Sequence, residues 1–247
     1  MTERLSEITD FPLETRNLRY TYPDGHCALK GVTFRLRKNE KLALVGPNGS
    51  GKSTLLLHLA GGIAVDDGEI LLHGAPTAPQ DLRRAVGLIF QDPDDQLFMP
   101  QVVDDVAFGP LARGVPAAEA RKRALAMLER LGAKHLVDRA PHRLSGGEKR
   151  LAALAGILVM EPDVLVLDEP TSALDPRARR LVIETLRALP QSMILCTHDL
   201  DMALDLCSRA MILCDGAITA EGALPELFRD KDLLERNGLE LPLRYSC

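Results

Sequence analysis

Lys41-Leu42-Ala43-Leu44-Val45 runs directly into Gly46-Pro47-Asn48-Gly49-Ser50-Gly51-Lys52-Ser53, and then into the helical-looking Thr54–Ala60. An apolar strand, a glycine-rich octapeptide and a helix in that order make a phosphate site. The glycines let the backbone wrap closely around phosphate, while N–H groups and the dipole of the following helix point at negative charge. Gly46, Pro47, Asn48, Gly49, Ser50, Gly51 and Thr54 are therefore expected along a nucleotide's phosphates. Lys52 is expected to bridge the β- and γ-phosphates, and the Ser53 hydroxyl to ligate Mg²⁺.

A chain of 247 residues can bury one substantial core, or one core with a small appended lobe. Hydrophobic residues at 46% and charged residues at 26% are ordinary for a soluble globular protein, and a net charge of -5 argues against nucleic acid as the main partner. No apolar run approaches the length of a membrane span, and Met1-Thr2-Glu3-Arg4-Leu5 lacks the layout of a signal peptide. The expectation is a cytosolic chain, held at a membrane only by a partner. The cysteines, Cys27, Cys196, Cys207, Cys214 and Cys247, are odd in number and show no C-x-x-C spacing, so they read as reduced thiols. No histidine pair has an H-x-x-x-H pattern, which leaves a protein-held transition metal unsupported.

Before the octapeptide, Asn17–Tyr22 and Val32–Leu36 alternate about the turn Pro23-Asp24-Gly25 and predict antiparallel strands. After it, Glu69–Leu72 and Ala85–Phe90 read as strands, the second ending at Gln91. Val102–Phe108, Ala117–Leu131 and a third segment near Gly147 are helical, marked off by glycine and proline, and suggest a helical lobe over residues 91–160 inserted into an α/β core formed by 1–90 and 161–247. Val164-Leu165-Val166-Leu167 is continuously apolar, as a strand buried on both faces requires. Helix and strand then alternate through Arg177–Leu189, Met193–Cys196, Asp201–Cys207, Ala210–Leu213 and Ala217–Ala220, which predicts a parallel sheet covered by helices.

The buried strand ends in Asp168-Glu169, two carboxylates at the carboxyl end where open α/β sheets bind ligands. Asp168 suits Mg²⁺, directly or through water, and Glu169 suits a base that polarises water for in-line attack on a γ-phosphate.

With the phosphate loop come Leu144-Ser145-Gly146-Gly147-Glu148, Asp168-Glu169-Pro170, Ser172-Ala173-Leu174-Asp175 and Thr197-His198-Asp199, in that order. Together they resemble an ATP-binding cassette (ABC) ATPase, over nearly the whole chain. Independently, Ser145 can cap a helix whose free N–H groups, with Gly146 and Gly147, make an anion site. The resemblance implies that Ser145, Gly146 and Gly147 serve the ATP of a second subunit, so that two cassettes sandwich two nucleotides head to tail. It also implies that Gln91 touches Mg²⁺ and the attacking water, that His198 hydrogen-bonds the γ-phosphate, and that Asp175 lies at the dimer interface. Tyr22 is the expected ring on adenine, with Tyr20 the competing candidate.

Phe90-Gln91-Asp92-Pro93-Asp94-Asp95-Gln96-Leu97-Phe98, Tyr20–Gly25 and Leu233–Pro242 resemble the energy-coupling-factor and cobalt/nickel importer ATPases. That likeness implies a peripheral subunit on the cytoplasmic face of the membrane. It would drive uptake of cobalt or nickel through a transmembrane coupling subunit and a substrate-binding membrane subunit, with a vitamin as the alternative cargo. Asp94 and Asp95, placed after Gln91, are expected to meet basic residues of the membrane partner. A soluble ABC protein of DNA repair or translation is the other class. It is disfavoured because the chain has neither a long coiled coil over 92–143 nor a second cassette.

Overall fold

The computed structural model describes residues 10–245, so Met1–Leu5 and Cys247 lie outside the described residues. Strands β1 (Leu13–Thr21) and β2 (Cys27–Leu36) form an antiparallel hairpin, with Leu13 opposite Leu36 and Thr21 opposite Cys27. β3 (Lys41–Val45) leads to α1 (Lys52–Leu59), followed by β4 (Asp67–Leu72), β5 (Ala75–Pro76), α2 (Pro79–Ala85) and β6 (Val86–Ile89). Three helices come next, α3 (Val102–Ala112), α4 (Ala117–Arg130) and α5 (Gly146–Leu158). The alternating remainder comprises β7 (Val164–Asp168), α6 (Pro176–Ala188), β8 (Ser192–Cys196), α7 (Leu200–Leu206), β9 (Arg209–Cys214) and β10 (Ala217–Ala223), then the short α8 (Leu224–Leu227) and α9 (Lys231–Arg236).

Two compact units divide these elements: one runs through Val86 and adds Asp163–Asp168 and everything from Pro190, and the other holds Gly87–Pro162 with Glu169–Leu189. Glu169–Leu189, which the sequence assigns to the α/β core, thus groups with the helices. The reason is packing: α6 carries its apolar stripe of Val182, Ile183 and Leu186 on a helix beside α5, so its buried face belongs to a helical layer.

In the first unit, β2-β1-β4-β5 make an antiparallel sheet, and β10-β9-β3-β8-β7 are successive neighbours in a second. The central strands β9, β3, β8 and β7 are parallel. Leu42–Val45, Val164–Leu167 and Met193–Cys196 are almost completely buried, which explains their continuous apolar runs. The outer strand departs from the expected alternation. β10 turns back antiparallel on β9 through Asp215-Gly216, both at positive φ (48° and 78°), with Cys214 paired to Ala217. A two-residue Asp-Gly turn of this kind closes hairpins, and no helix is needed to cross over.

A buried ion pair, not apparent from local sequence, clips the start of β3 to the start of β9. Arg209 Nε and Nη2 donate to the two oxygens of Glu40 at 2.7 Å each. The fork is completed by Nη2 to the Arg35 carbonyl at 2.6 Å and by Nη1 to Glu221. Burial pushes the Glu40 carboxyl up, but the Arg209 hydrogen bond, the Arg37 N–H and both guanidinium charges outweigh it and hold it below its ordinary value.

The second unit is a helical lobe around Leu97, Val102, Val103, Val106, Leu128 and Leu136, with small residues of α4 and α5 between them. Asp105 Oδ1 accepts the Phe98 and Met99 N–H groups at 2.9 and 3.0 Å, fixing the chain entering α3. That leaves Phe98 and Phe108 outward, edge to face with centroids 5.0 Å apart.

Candidate functional site

The phosphate loop leaves the carboxyl end of β3, where two of its glycines are needed for space. A Cβ at Gly46 would run into the Leu213 carbonyl, and one at Gly51 would lie 2.5 Å from the Ala28 carbonyl. Gly51 also takes φ 103° as it starts α1, a conformation open to glycine at no steric cost. Lys52 Nζ donates to the carbonyls of Gly46 and Pro47, both at 2.8 Å, so its ammonium lies over the loop it follows. Asn48 and Gly49 are exposed at the loop tip.

Parallel register brings further groups to the same end within this unit. β3 pairs with β8 up to Leu44 opposite Cys196, and β7 pairs with β8 up to Asp168 opposite Cys196. The phosphate loop, the exposed His198 just past β8 and Asp168 therefore emerge side by side from neighbouring strands. Ser53 Oγ donates to Asp168 Oδ2 at 3.1 Å. A hydroxyl and a carboxylate are hard oxygen donors of the kind Mg²⁺ takes. Among the described residues no cluster of three or more His, Cys, Asp or Glu could cage a metal. As two hard oxygen donors, Ser53 and Asp168 fit an Mg²⁺ ion.

Of the two tyrosine candidates, Tyr22 hydrogen-bonds Thr54 Oγ1 through its hydroxyl at 2.9 Å, joining it to the first turn of α1. Tyr20 instead meets the buried His58 edge-on at 4.7 Å. His58 Nδ1–H donates to the Thr54 carbonyl at 2.8 Å, and burial lowers its basicity, so a neutral imidazole supports the phosphate helix from behind.

The second unit carries the remaining candidates. Glu169 is buried and takes φ 45°, with its carbonyl accepting from Ser172 N and Ser172 Oγ at 3.1 and 3.0 Å. A left-handed glutamate is uncommon and turns the chain sharply just past β7. Ser145 caps α5 in a reciprocal box with Glu148, and Gly146 is exposed while Gly147 packs on Ala178. Asp175 caps α6, its Oδ1 accepting from Arg177 N and Ala178 N at 2.9 and 3.0 Å. Ser145, Gly147, Glu148 and Asp175 line one open groove, together with Arg177 and Arg180.

Local sequence did not single out Lys149 and Arg150. Arg150, buried on α5, donates to the Phe90 and Gln91 carbonyls at 2.8 and 2.7 Å, which leaves the exposed Gln91 on a fixed backbone. Lys149 Nζ binds both oxygens of Asp94 at 2.6 and 2.7 Å. Asp94 therefore has an intramolecular cation, a contact that the local sequence does not announce. Asp95 is exposed.

Comparison with known proteins places this geometry. A family model described as "ABC transporter" matches residues 29–172. The chain is 50% identical to a Geobacter sulfurreducens chain that carries the name ABC transporter ATP-binding protein, covering 94% of each. It is 42% identical to the energy-coupling factor transporter ATP-binding protein EcfA of Methanothermobacter thermautotrophicus, covering 93% of this chain and 76% of that one. Its fold is similar to that of cbiO1 from Clostridium perfringens, described as part of the ABC transporter complex cbiONQ. There the TM-score is 0.82 at 38% identity, over 92% of this chain and 94% of that chain. With the strand–loop–helix phosphate site, the paired strand ends and the capped L-S-G-G helix all present, the chain belongs to the ABC transporter family, as an ATP-binding and ATP-hydrolysing subunit with the ABC ATPase fold.

Proposed function

We propose that this subunit drives uptake of cobalt or nickel ions through separate membrane subunits, working as one of a head-to-tail pair of ATPases on the cytoplasmic face of the membrane. No helix among the described residues is long and apolar enough to cross a membrane, and in this reading other chains supply the pore. The observation that supports the reading is the run Phe90–Phe98, which resembles the energy-coupling-factor and cobalt/nickel importer ATPases. It ends beside the outward aromatic pair Phe98 and Phe108, with the acidic Asp95 exposed before it. An apolar pair next to a carboxylate suits a basic, amphipathic segment of a transmembrane coupling subunit.

In this reading each side chain has one task. Tyr22 stacks on adenine. The N–H groups of Gly46–Ser53 and the Lys52 ammonium neutralise the β- and γ-phosphates, with Thr54 one residue further on. Ser53, Asp168 and Gln91 would hold Mg²⁺, which supplies charge neutralisation across the phosphates. Glu169 accepts a proton from the attacking water while His198 donates a hydrogen bond to the γ-phosphate. Ser145, Gly146 and Gly147, or their counterparts where the second subunit is a paralogue, close the site from across the pair, and Asp175 lies along the same interface. The resemblance to energy-coupling-factor ATPases, a name that two relatives carry, supports a second reading with the same motor and a vitamin as cargo.

The test is co-expression with the adjacent membrane subunits, followed by ATP-dependent uptake of radioactive cobalt and nickel by the complex. Uptake of either metal, lost in the Glu169→Gln variant, is the expected result. Uptake of neither shifts the assignment to the vitamin reading.

A further inference from the structure

Glu148 is the third residue of α5, so its carboxylate stands at the positive end of the helix that is to receive a partner's polyphosphate. For the helix alone this is favourable, since the carboxylate completes the capping box. For the incoming phosphate it is a like charge. The structure answers that conflict with Arg139. Glu148 Oε2 accepts from Ser145 N at 2.8 Å and from Ser145 Oγ at 3.0 Å. The other oxygen, Oε1, accepts from Arg139 Nη1 at 2.9 Å, with His135 Nε2 3.6 Å away. Arg139 Nη2 donates to the Arg143 carbonyl at 2.8 Å, so one planar guanidinium spans the whole turn that leads to Ser145.

We propose that Arg139 is a positioning residue for Ser145: it cancels the Glu148 charge at the phosphate-receiving end of α5 and holds Glu148 where it orients the serine hydroxyl. This rests on the reading that Ser145 serves the nucleotide of a second copy. The Ser145 N–H, ahead of the opposing effect of burial, and then the Ser145 hydroxyl and Arg139 keep the carboxyl below its ordinary range, so it is a charge that needs cancelling at neutral pH. Where the residue at this position is an uncharged glutamine, the requirement for Arg139 vanishes.

That dependence is the test. In a Glu169→Gln background, the ATP concentration giving half-maximal dimer is measured by light scattering for four chains: the parent, Arg139→Ala, Glu148→Gln and the double variant. ATP binding to the monomer is titrated alongside. Arg139→Ala should raise the required ATP about tenfold with Glu148 present and less than about twofold with Gln in its place. Monomer affinity for ATP should not move. An equal penalty in both backgrounds, or none in either, overturns the proposal and leaves Arg139 a brace for the Arg143 carbonyl. If Arg139→Ala does not fold, Arg139→Lys and Arg139→Gln decide it: a near-parent Lys variant with an impaired Gln variant supports charge cancellation, and equal impairment overturns it. Failure of the parent to dimerise with ATP, despite normal ATP binding, overturns the paired-site reading and this inference together. The other adverse outcomes overturn this inference alone.

Discussion

Lys149 Nζ lies 2.6 and 2.7 Å from the two carboxylate oxygens of Asp94, so the turn after Gln91 is tied to the helix that starts at the L-S-G-G motif. Arg150, the next residue, holds the carbonyls of Phe90 and Gln91. A probe of membrane docking should leave this tie alone. Asp95→Arg, which inverts charge at the exposed neighbour, should cut co-purification with the membrane subunits and lower uptake per ATP hydrolysed. Asp94→Arg places a cation against Lys149 and should disturb the α5 start as well, seen as a lower melting temperature of the isolated chain. Normal assembly and uptake by Asp95→Arg would remove this turn from the docking surface.

Glu169→Gln keeps the size of the side chain and loses its basicity. Turnover should fall about 100-fold or more while ATP binding persists, because general-base assistance is worth that much. ATP should then trap a dimer, visible by gel filtration. Hydrolysis at the parent rate would transfer the base role to another group.

Lys52→Ala removes the cation held over the loop by the Gly46 and Pro47 carbonyls. ATP affinity should drop by about tenfold or more, the order of one charge-assisted hydrogen bond in a partly desolvated site. Equilibrium titration with a fluorescent ATP analogue checks it. An unchanged dissociation constant would contradict the phosphate role.

Inserting a carboxylate at the L-S-G-G turn tests pairing only at the correct glycine. A Cβ on Gly147 would lie 2.8 Å from Ala178 Cβ, so Gly147→Asp forces α5 from α6 before any partner arrives. At Gly146 the nearest atom is the flexible Leu174 Cδ2 at 3.2 Å. Gly146→Asp should therefore keep the parent melting temperature within a few degrees and monomeric ATP binding, yet abolish the ATP-dependent dimer by like-charge repulsion. Dimers of normal stability, measured by light scattering in the Glu169→Gln chain, would refute the composite site.

Glu40→Gln should cost about 2 kcal/mol, because the buried Arg209 guanidinium loses one of its two carboxylate partners and keeps only Glu221. The pH dependence has a defined sign. Because the folded Glu40 is held below its unfolded value, its contribution is fully present above the ordinary carboxylate range and is lost as pH falls through the lower, folded value. Urea titrations at pH 7 and pH 3 should show the parent losing more stability than Glu40→Gln on acidification. Equal losses would exclude this pair as the acid-sensitive element.

The phosphate loop, the buried strands and the two carboxylates at the end of Val164–Leu167 are legible in the amino-acid order alone. So are the helical lobe and the motif order that marks an ABC ATPase. These are local: glycine conformations, apolar runs and helix caps depend on residues within a few positions of one another. What distant residues do together emerges from the packed fold. Glu40 and Arg209 are 169 positions apart, and Asp94 and Lys149 are 55 apart, so neither pair leaves a local trace. The same holds for the left-handed turn at Glu169, the seat of Gly147 on Ala178 and the grouping of Glu169–Leu189 with the helices, whereas the antiparallel return of β10 has a local sign in Asp215-Gly216. Periodicity states which face of a segment is apolar, and packing alone selects the surface that covers it.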